Sequence, residues 1–380
     1  MPPRYVVLAN PDSKRWQAYE PELRAFWHAR GVAAEVELVS WAEVVPRAGN
    51  LDGLAAFDRP NGDRPAHAVV RLESPGRDWA VARQLLALGT GDDAFLSLPY
   101  QKGKLVEPLA FFEGFRRTLA GLDASFRARP HLHVLADPAD VAEMFDKNAT
   151  CRRLQRAGLP VPATLDPPPG PGGVLDAIRS AGWRTAYAKL NTGSSASAIV
   201  VVSNPAEPTG QSSVVALADG FYSSRRLATY RGEALTRVLD FVAGQGLCVQ
   251  EGVRMATVDG QNFDVRVVCI HGKPAVTIFR LSWLPMTNLH LGGRRGDWAA
   301  CRSAVPTRAW LDALDHCEAA AGLYKSEAVG IDLLFEAGFR RHVILEVNAF
   351  GDFFPGLADE RGRSIPALEV EETARRVGWL

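Results

Sequence analysis

Two short apolar segments, 330–335 (GIDLLF) and 342–348 (HVILEVN), carry side chains foreign to an apolar strand: Asp332 in the first, Glu346 and Asn348 in the second. The intervening residues 336–341 (EAGFRR) suit a hairpin connection. A turn centred near Phe339 sets Asp332 opposite Glu346, and the strand period of two places Glu346 and Asn348 on one face. Three oxygen-bearing groups then converge. Carboxylates on the inward face of apolar strands are costly unless protonated, paired or neutralised. Oxygen-only ligands suit Mg2+ or Mn2+ better than zinc, and such ions are commonly held together with nucleotide phosphates. The competing arrangement is a surface ribbon whose carboxylates point into water.

Three other stretches carry chemistry. Residues 186–190 (AYAKL) form a strand ending near Lys189 and running into a small-residue turn, Asn191, Thr192, Gly193, Ser194, Ser195 and Ala196, before a second strand at 197–202. Such a turn can lay backbone N–H groups against phosphate while Lys189 supplies charge, and it can equally be a solvated hairpin. It is not a Walker A loop, since the G-x-x-x-x-G-K order is absent. Residues 247–253 (LCVQEGV) make an apolar strand whose backbone could face a base edge, although many edge strands look alike. In 263–270, Asp264 and Arg266 lie two apart and share a face; the return strand 275–281 carries Arg280 near its end. Arginines so placed can clamp phosphate or carboxylate oxygens, or simply lie on the surface.

The elements that must position these groups start with a small α/β region. Strand candidates at 5–9, 34–39 and 68–72 alternate with helical patterns at about 16–30 and 79–88, which favours a parallel sheet covered on both faces. No dinucleotide-binding glycine turn is present, and a supporting or substrate-binding role is expected. A helical stretch at 105–119 and a short apolar piece at 131–135 lead to Asp137 and Pro138, where a first boundary is placed. Prolines and glycines punctuate 160–173, and no internal repeat is apparent. The expected division is 1–137, 138–249 and 250–380.

Composition narrows the class. The chain has 380 residues, 47% of them apolar and 23% charged, enough for two or three cored domains and too apolar for a disordered chain. Forty-three basic residues balance 43 acidic ones, so no bulk positive field drives binding to nucleic acid or anionic membrane. Only seven of the basic residues are lysines, so each of them deserves inspection, although genomic composition alone could produce the bias. The five cysteines show no paired spacing and are expected as reduced, buried thiols. The first residues have too short an apolar run for a secretory segment, and no stretch reaches membrane-span length, so a cytoplasmic protein is expected.

In order along the chain stand DKNATCRRLQRAGLPVPAT (146–164), AYAKLNTGSSASAIV (186–200), VQEGV (249–253), NFDVRVVCIHGKPAVTIFRLS (262–282), TNLHLGG (287–293) and AVGIDLLFEAGFRRHVILEVNAFGDFFPG (328–356). This succession resembles the ATP-grasp superfamily, most nearly its ribosomal-protein-modifying glutamate ligase and glutathione synthetase-like branch. The resemblance implies a multidomain α/β and α+β fold: a Rossmann-like α/β domain, then a lid and a larger ATP-binding lobe. It implies that Lys147 and Lys189 contact ATP phosphates. Gly193, Ser194 and Ser195 would form the loop over the triphosphate. The backbone of Gln250, Glu251, Gly252 and Val253 would read adenine. Arg266 and Arg280 would face the transferred phosphoryl group or a substrate carboxylate, with Asn288 and His290 nearby; a lone histidine such as His290 can also be structural. Asp332, Glu346 and Asn348 would hold one or two Mg2+ ions, or Mn2+.

The implied reaction is ATP-dependent joining of a carboxylate-bearing small molecule or peptide to an amine through an acyl phosphate. No nucleic acid or membrane partner is expected, and a homo-oligomer is left open. The alternatives are a kinase-like enzyme that stops at the acyl phosphate, or a regulatory nucleotide-binding protein without turnover. The sequence departs from the family pattern in three places. Ala196 and Ala198 stand where the phosphate loop is usually glycine-rich. No acid follows the 250–253 strand at 254–257 for the ribose, leaving Asp259 or Asp264 as substitutes. Phe350, Phe353 and Phe354 suggest an apolar wall beside the acceptor, and Trp283, Pro285 and Met286 either line that pocket or cover a core.

Overall fold

The structure is a computed structural model and describes residues 2–58, 68–76, 78–193, 198–350, 356–359 and 361–380. Its strands form three sheets. In the first, β1 (Arg4–Leu8), β2 (Glu35–Val39), β3 (Ala68–Leu72) and β4 (Leu132–Val134) lie in the order β2-β1-β3-β4, all parallel. β1 and β3 are buried at every position, as apolar runs covered on both faces should be. The helices Lys14–His28, Trp79–Thr90 and Pro108–Arg127 follow the strands. The last of these begins three residues later than 105, because Pro108 sits in its first turn, where a missing N–H costs nothing.

The second sheet is antiparallel: β5 (Thr185–Leu190), β6 (Ile199–Ser203), β7 (Thr209–Leu217), β8 (Gly220–Arg231) and β9 (Leu247–Glu251), ordered β8-β7-β6-β5-β9. Helix Gly232–Gly244 buries Leu235, Val238, Leu239 and Val242 against it, the 3.6-residue spacing of an amphipathic face. The punctuated stretch at 160–173 includes no free linker around 163–165. It runs along the outer edge of β9, where Glu251 N–H donates to Ala163 O and Leu165 N–H to Val249 O.

The third sheet holds β10 (Thr257–Val258), β11 (Gln261–Ile270), β12 (Lys273–Ser282), β13 (Arg294–Arg295), β14 (Ala328–Phe335) and β15 (His342–Asn348). Its order is β13-β12-β11-β14-β15, with β10 paired to β11. One face packs on helix Thr307–Ala321 through Trp310, Ala313, Cys317 and Ala320. A single apolar cluster runs from Val6, Leu8 and Val70 of the first sheet to Phe263, Ile331 and Val347 of the third. The final helix, Ile365–Arg376, joins the same two sheets: Val370 and Ala374 pack beside Tyr5 and Val7, while Ile365 and Leu368 pack beside Val268 and Ile270. All five cysteines are reduced and buried. Among the described residues, no helix is long and apolar enough to cross a membrane.

Candidate active site

β11, β12, β14 and β15 bring one row of charged side chains onto a common face. Asp264 is the register partner of Arg280, Arg266 of Asp332, and Asp332 of Glu346. Antiparallel partners point to the same side, so the row follows from register alone. The hairpin geometry read from the sequence is therefore present, with a one-residue irregularity after Asp332. Asn348 completes the face, its Nδ2 donating to Gly330 O at 3.3 Å.

The row is closely paired. Arg280 grips Asp264 with two nitrogens, Nε reaching Oδ1 at 2.8 Å, and its Nη2 also lies 2.9 Å from Asp332 Oδ1. Arg266 Nε lies 2.6 Å from that same oxygen. Proximity here is not alignment, because Asp332 Oδ1 and Arg266 Nε are buried without a well-directed hydrogen bond to each other. Burial pushes the Asp332 carboxyl above its ordinary value, against the pull of Arg266 and Arg280. Gly330 makes the pairing sterically feasible, since a Cβ there would stand 2.6 Å from Arg266 Nη1.

From the second sheet, Lys189 enters above this row. It is the register partner of Cys248 on β9 and of Ile199 on β6, and it is 7% exposed. Its Nζ lies 3.2 Å from Glu346 Oε1, and Lys147 Nζ lies 3.8 Å from the same atom. Burial would raise the Glu346 pKa, but the two lysines outweigh it and bring it down to about 2. Burial likewise works against the Lys189 ammonium, yet the neighbouring Glu346 holds its pKa above the usual value. Lys147 opens helix Lys147–Arg156, whose N-cap Asp146 accepts from Ala149 N–H. Asn191, just past β5, receives Lys147 N–H on its carbonyl and Asn148 N–H on its side chain, and donates to Asp146. These bonds lock the helix start to the turn carrying Gly193, whose carbonyl accepts from Lys147 Nζ.

A cleft of about 770 Å3 lies over the row and reaches across all three sheets. Lys189, Gln250, Glu251, Val253, Arg266, Arg280, Asn288, His290, Asp332, Glu346 and Asn348 line it. Gly252 does not: its N–H bonds Thr185 O, and a Cβ would meet the Thr185 side chain at 2.7 Å, so this glycine serves close backbone packing. Lys147 and Gly193 stand behind Glu346 rather than on the cleft wall. Ser194 and Ser195 lie outside the described residues, as do Phe353 and Phe354. The Gln250 side chain turns away to donate to Cys151 Sγ at 3.1 Å. Neither substitute for a ribose acid fits: Asp264 is held by Arg280, and Asp259 is not on the cleft wall, whereas the exposed carboxylate of Glu251 is.

A strap at 283–296 crosses the cleft. Pro285 and Met286 line it, while Trp283 is 73% exposed and rests against Gly260 instead. Asn288 caps the short turn Leu289–Leu291, its Oδ1 accepting from His290 N–H at 2.7 Å, and the His290 side chain is exposed. Tyr187, whose hydroxyl burial pushes up to about 12, stays protonated and donates to Pro285 O at 2.7 Å. The sequence analysis missed Tyr187, although it stands two residues before Lys189 and so shares its face. Phe145, Gly330 and Arg15 also escaped it; Arg15 reaches the cleft from the first turn of helix Lys14–His28, and no local pattern signals it.

Two carboxylates and a carboxamide offer only oxygen donors, and one buried oxygen lacks a directed partner; this set fits Mg2+. Among the described residues, no group of three His, Cys, Asp or Glu side chains is placed to hold a metal ion.

Comparison with solved structures places the fold. The chain is similar to the crystal structure of D-cycloserine synthetase DcsG, with TM-score 0.52 and 15% identity over 98% of this chain and 99% of that one. It is similar to the ATP-grasp ligase PsnB complexed with minimal precursor, Mg and ADP, with TM-score 0.51 and 17% identity over 98% and 97%. The macrocyclase MdnC bound with precursor peptide MdnA from Microcystis aeruginosa MRC gives TM-score 0.54 and 11% identity over 98% and 99%. The chain has the ATP-grasp fold. No family model matches it, and no curated protein matches its sequence.

Proposed function

We propose that this protein is an ATP-dependent carboxylate–amine ligase that forms an amide through an acyl phosphate. The observation that carries the reading is the register-built row Arg280–Asp264, Arg266–Asp332–Glu346 with Lys189 and Lys147 beside Glu346. In this reading the first sheet supports the acceptor side (1–137), the second sheet belongs to a lid (138–249), and the third forms the ATP- and metal-binding lobe (250–380). Helix Ile365–Arg376 crosses back to the first sheet.

Asp332, Glu346 and Asn348 would hold Mg2+, which neutralises phosphate charge and draws electrons from the reacting phosphorus when bound. Lys147 and Lys189 orient the triphosphate, and the backbone at 250–253 with Glu251 faces the nucleoside. Arg266 and Arg280 stabilise the phosphoryl oxygens as a substrate carboxylate oxygen bonds to the γ-phosphorus and the bond to the ADP oxygen breaks. The amine nitrogen then bonds to the acyl carbon, the carbon–oxygen bond to phosphate breaks, and the amine loses a proton. The strap and lid keep water from the acyl phosphate. No side-chain nucleophile is required. PsnB and MdnC were each solved with a precursor, which for MdnC is a peptide, so a peptide is a candidate acceptor here alongside a small molecule.

Incubating the protein with ATP, Mg2+ and a metabolite and peptide extract, followed by mass spectrometry, tests the reading. The expected product is acid plus amine less one water, with one ADP and one phosphate formed per bond. A stable acyl phosphate made without amine would favour the kinase-like alternative. Nucleotide binding without turnover across the extract would favour the regulatory one.

A further inference from the structure

At the end of β3, buried Glu73 divides its carboxylate between two arginines: Oε1 takes Arg71 Nε at 2.7 Å and Oε2 takes Arg15 Nε at 2.9 Å. Arg71 continues to buried Glu369 on the final helix, which also accepts from Tyr19 OH at 3.2 Å. Arg71 itself stacks over the Tyr19 ring at 3.9 Å. Buried Arg71, Glu73 and Glu369 with the half-buried Arg15 thus form a neutral group. Burial would raise the Glu73 pKa, but Arg71 and Arg15 overcome it and hold the carboxyl below the ordinary range.

Arg15 is the member that leaves this group. Only 28% exposed, it lines the cleft and donates through Nη2 to the carbonyl of Phe350, two residues beyond Asn348. The Phe350 ring stands edge-on to Phe145, another cleft-lining ring, with centroids 5.9 Å apart. Phe350 is therefore fixed by its ring from one side and by its carbonyl from the other. Arg15 thus supplies the second cation that balances Glu73 and Glu369, and the same guanidinium reaches on to the cleft.

We propose that Arg15 is a positioning residue for the acceptor: clamped by Glu73, it holds the Phe350 carbonyl and so sets the wall of the cleft next to Asn348 from the start of helix Lys14–His28. This rests on the ligase reading above. Lysine cannot reproduce it, because one ammonium on a flexible stem does not span two acceptors as a guanidinium fork does.

The experiment compares wild type with Arg15→Ala and Arg15→Lys. Hydrogen exchange in peptides ending at Phe350 should rise in both variants with MgADP affinity changed little, while the melting temperature should fall in Arg15→Ala, which leaves buried Glu73 short of a cation, and less in Arg15→Lys. With an acid–amine pair found in the extract experiment, KM for the acceptor should rise about tenfold or more, KM for ATP should hold, and millimolar guanidinium should partly restore Arg15→Ala. Unchanged exchange overturns the tie whatever reaction the protein performs. Raised exchange with unchanged acceptor KM, or a loss of MgADP affinity in Arg15→Lys as large as the loss for the acceptor, overturns the positioning role. Absence of any acid–amine turnover in wild type removes the ligase reading and this role with it, while the exchange result still reports the tie.

Discussion

Arg266 and Asp332 are direct cross-strand partners on β11 and β14, yet the 2.6 Å contact between Arg266 Nε and Asp332 Oδ1 lacks hydrogen-bond alignment. The aligned hydrogen bond of the pair is the longer one, Arg266 Nη2 to Asp332 Oδ2 at 3.3 Å, so Oδ1 sits close to two guanidinium groups without an aligned donor.

Replacing Glu346 by Gln removes the charge that Lys147 and Lys189 share at 3.8 and 3.2 Å. Mg2+-dependent turnover should fall by about 100-fold or more, the scale of losing a charge-stabilising group in a reaction site. Lys189→Ala should weaken ATP use as well. Steady-state kinetics over a Mg2+ titration checks both, and normal activity in the two variants would remove their assigned roles.

The same group links pH to stability. Glu346 falls from its ordinary 4.5 to about 2 in the folded protein, so its stabilising contribution is complete above about pH 4.5. As pH drops toward 2 the contribution is lost, because the unfolded state binds the proton first. Urea unfolding between pH 5 and 2.5 should show stability declining, with a shallower decline in Glu346→Gln. Equal slopes in the two proteins would contradict the assignment.

Gly330 carries a steric prediction. Alanine there would place a Cβ 2.6 Å from Arg266 Nη1, and the guanidinium, being the far end of a flexible chain, should move off Asp332. Stability should fall by about 1 kcal/mol, within the ordinary range of point substitutions, while kcat falls about tenfold. Thermal melts alongside kinetics separate the two effects; full activity in Gly330→Ala would show that the Arg266 position is not needed.

Tyr187→Phe deletes the 2.7 Å bond to the Pro285 carbonyl that ties the strap to β5. A neutral hydrogen bond of this kind contributes about 1 kcal/mol, so the melting temperature should drop by a few degrees at most. Nucleotide KM should rise with it. An unchanged KM would mean that the strap holds its place through Met286 and Leu291, which pack beside Val201.

Much of the site was legible because strand registry is a local property. Asp332, Glu346 and Asn348 are joined by a short hairpin, and the period of two together with the turn position was enough to pair them. Asp264 and Arg266 were placed on one face by the same rule, and β1, β3 and β15 were readable as apolar runs with clear boundaries. Lys189 was placed at the end of its strand by the same local reading, whereas Lys147 came only from the family resemblance.

Other features depended on contacts between residues far apart in sequence, to which periodicity is blind. Whether Lys189 met phosphate or solvent could not be read from its turn; the packing of β5 above β15 put its Nζ next to Glu346. Gly252 looked like part of a base-reading strand, yet its contact with Thr185 makes it a spacer. Asp259 and Asp264 were equal candidates until Arg280 took one and the turn carried the other off the cleft wall. Sequence alone determined which strands could present oxygen donors and cations, since side-chain alternation follows from backbone geometry. Tertiary structure decided which of those groups meet, because packing three sheets around one cleft joins Arg15, Lys189 and Glu346 across separations that no local rule spans.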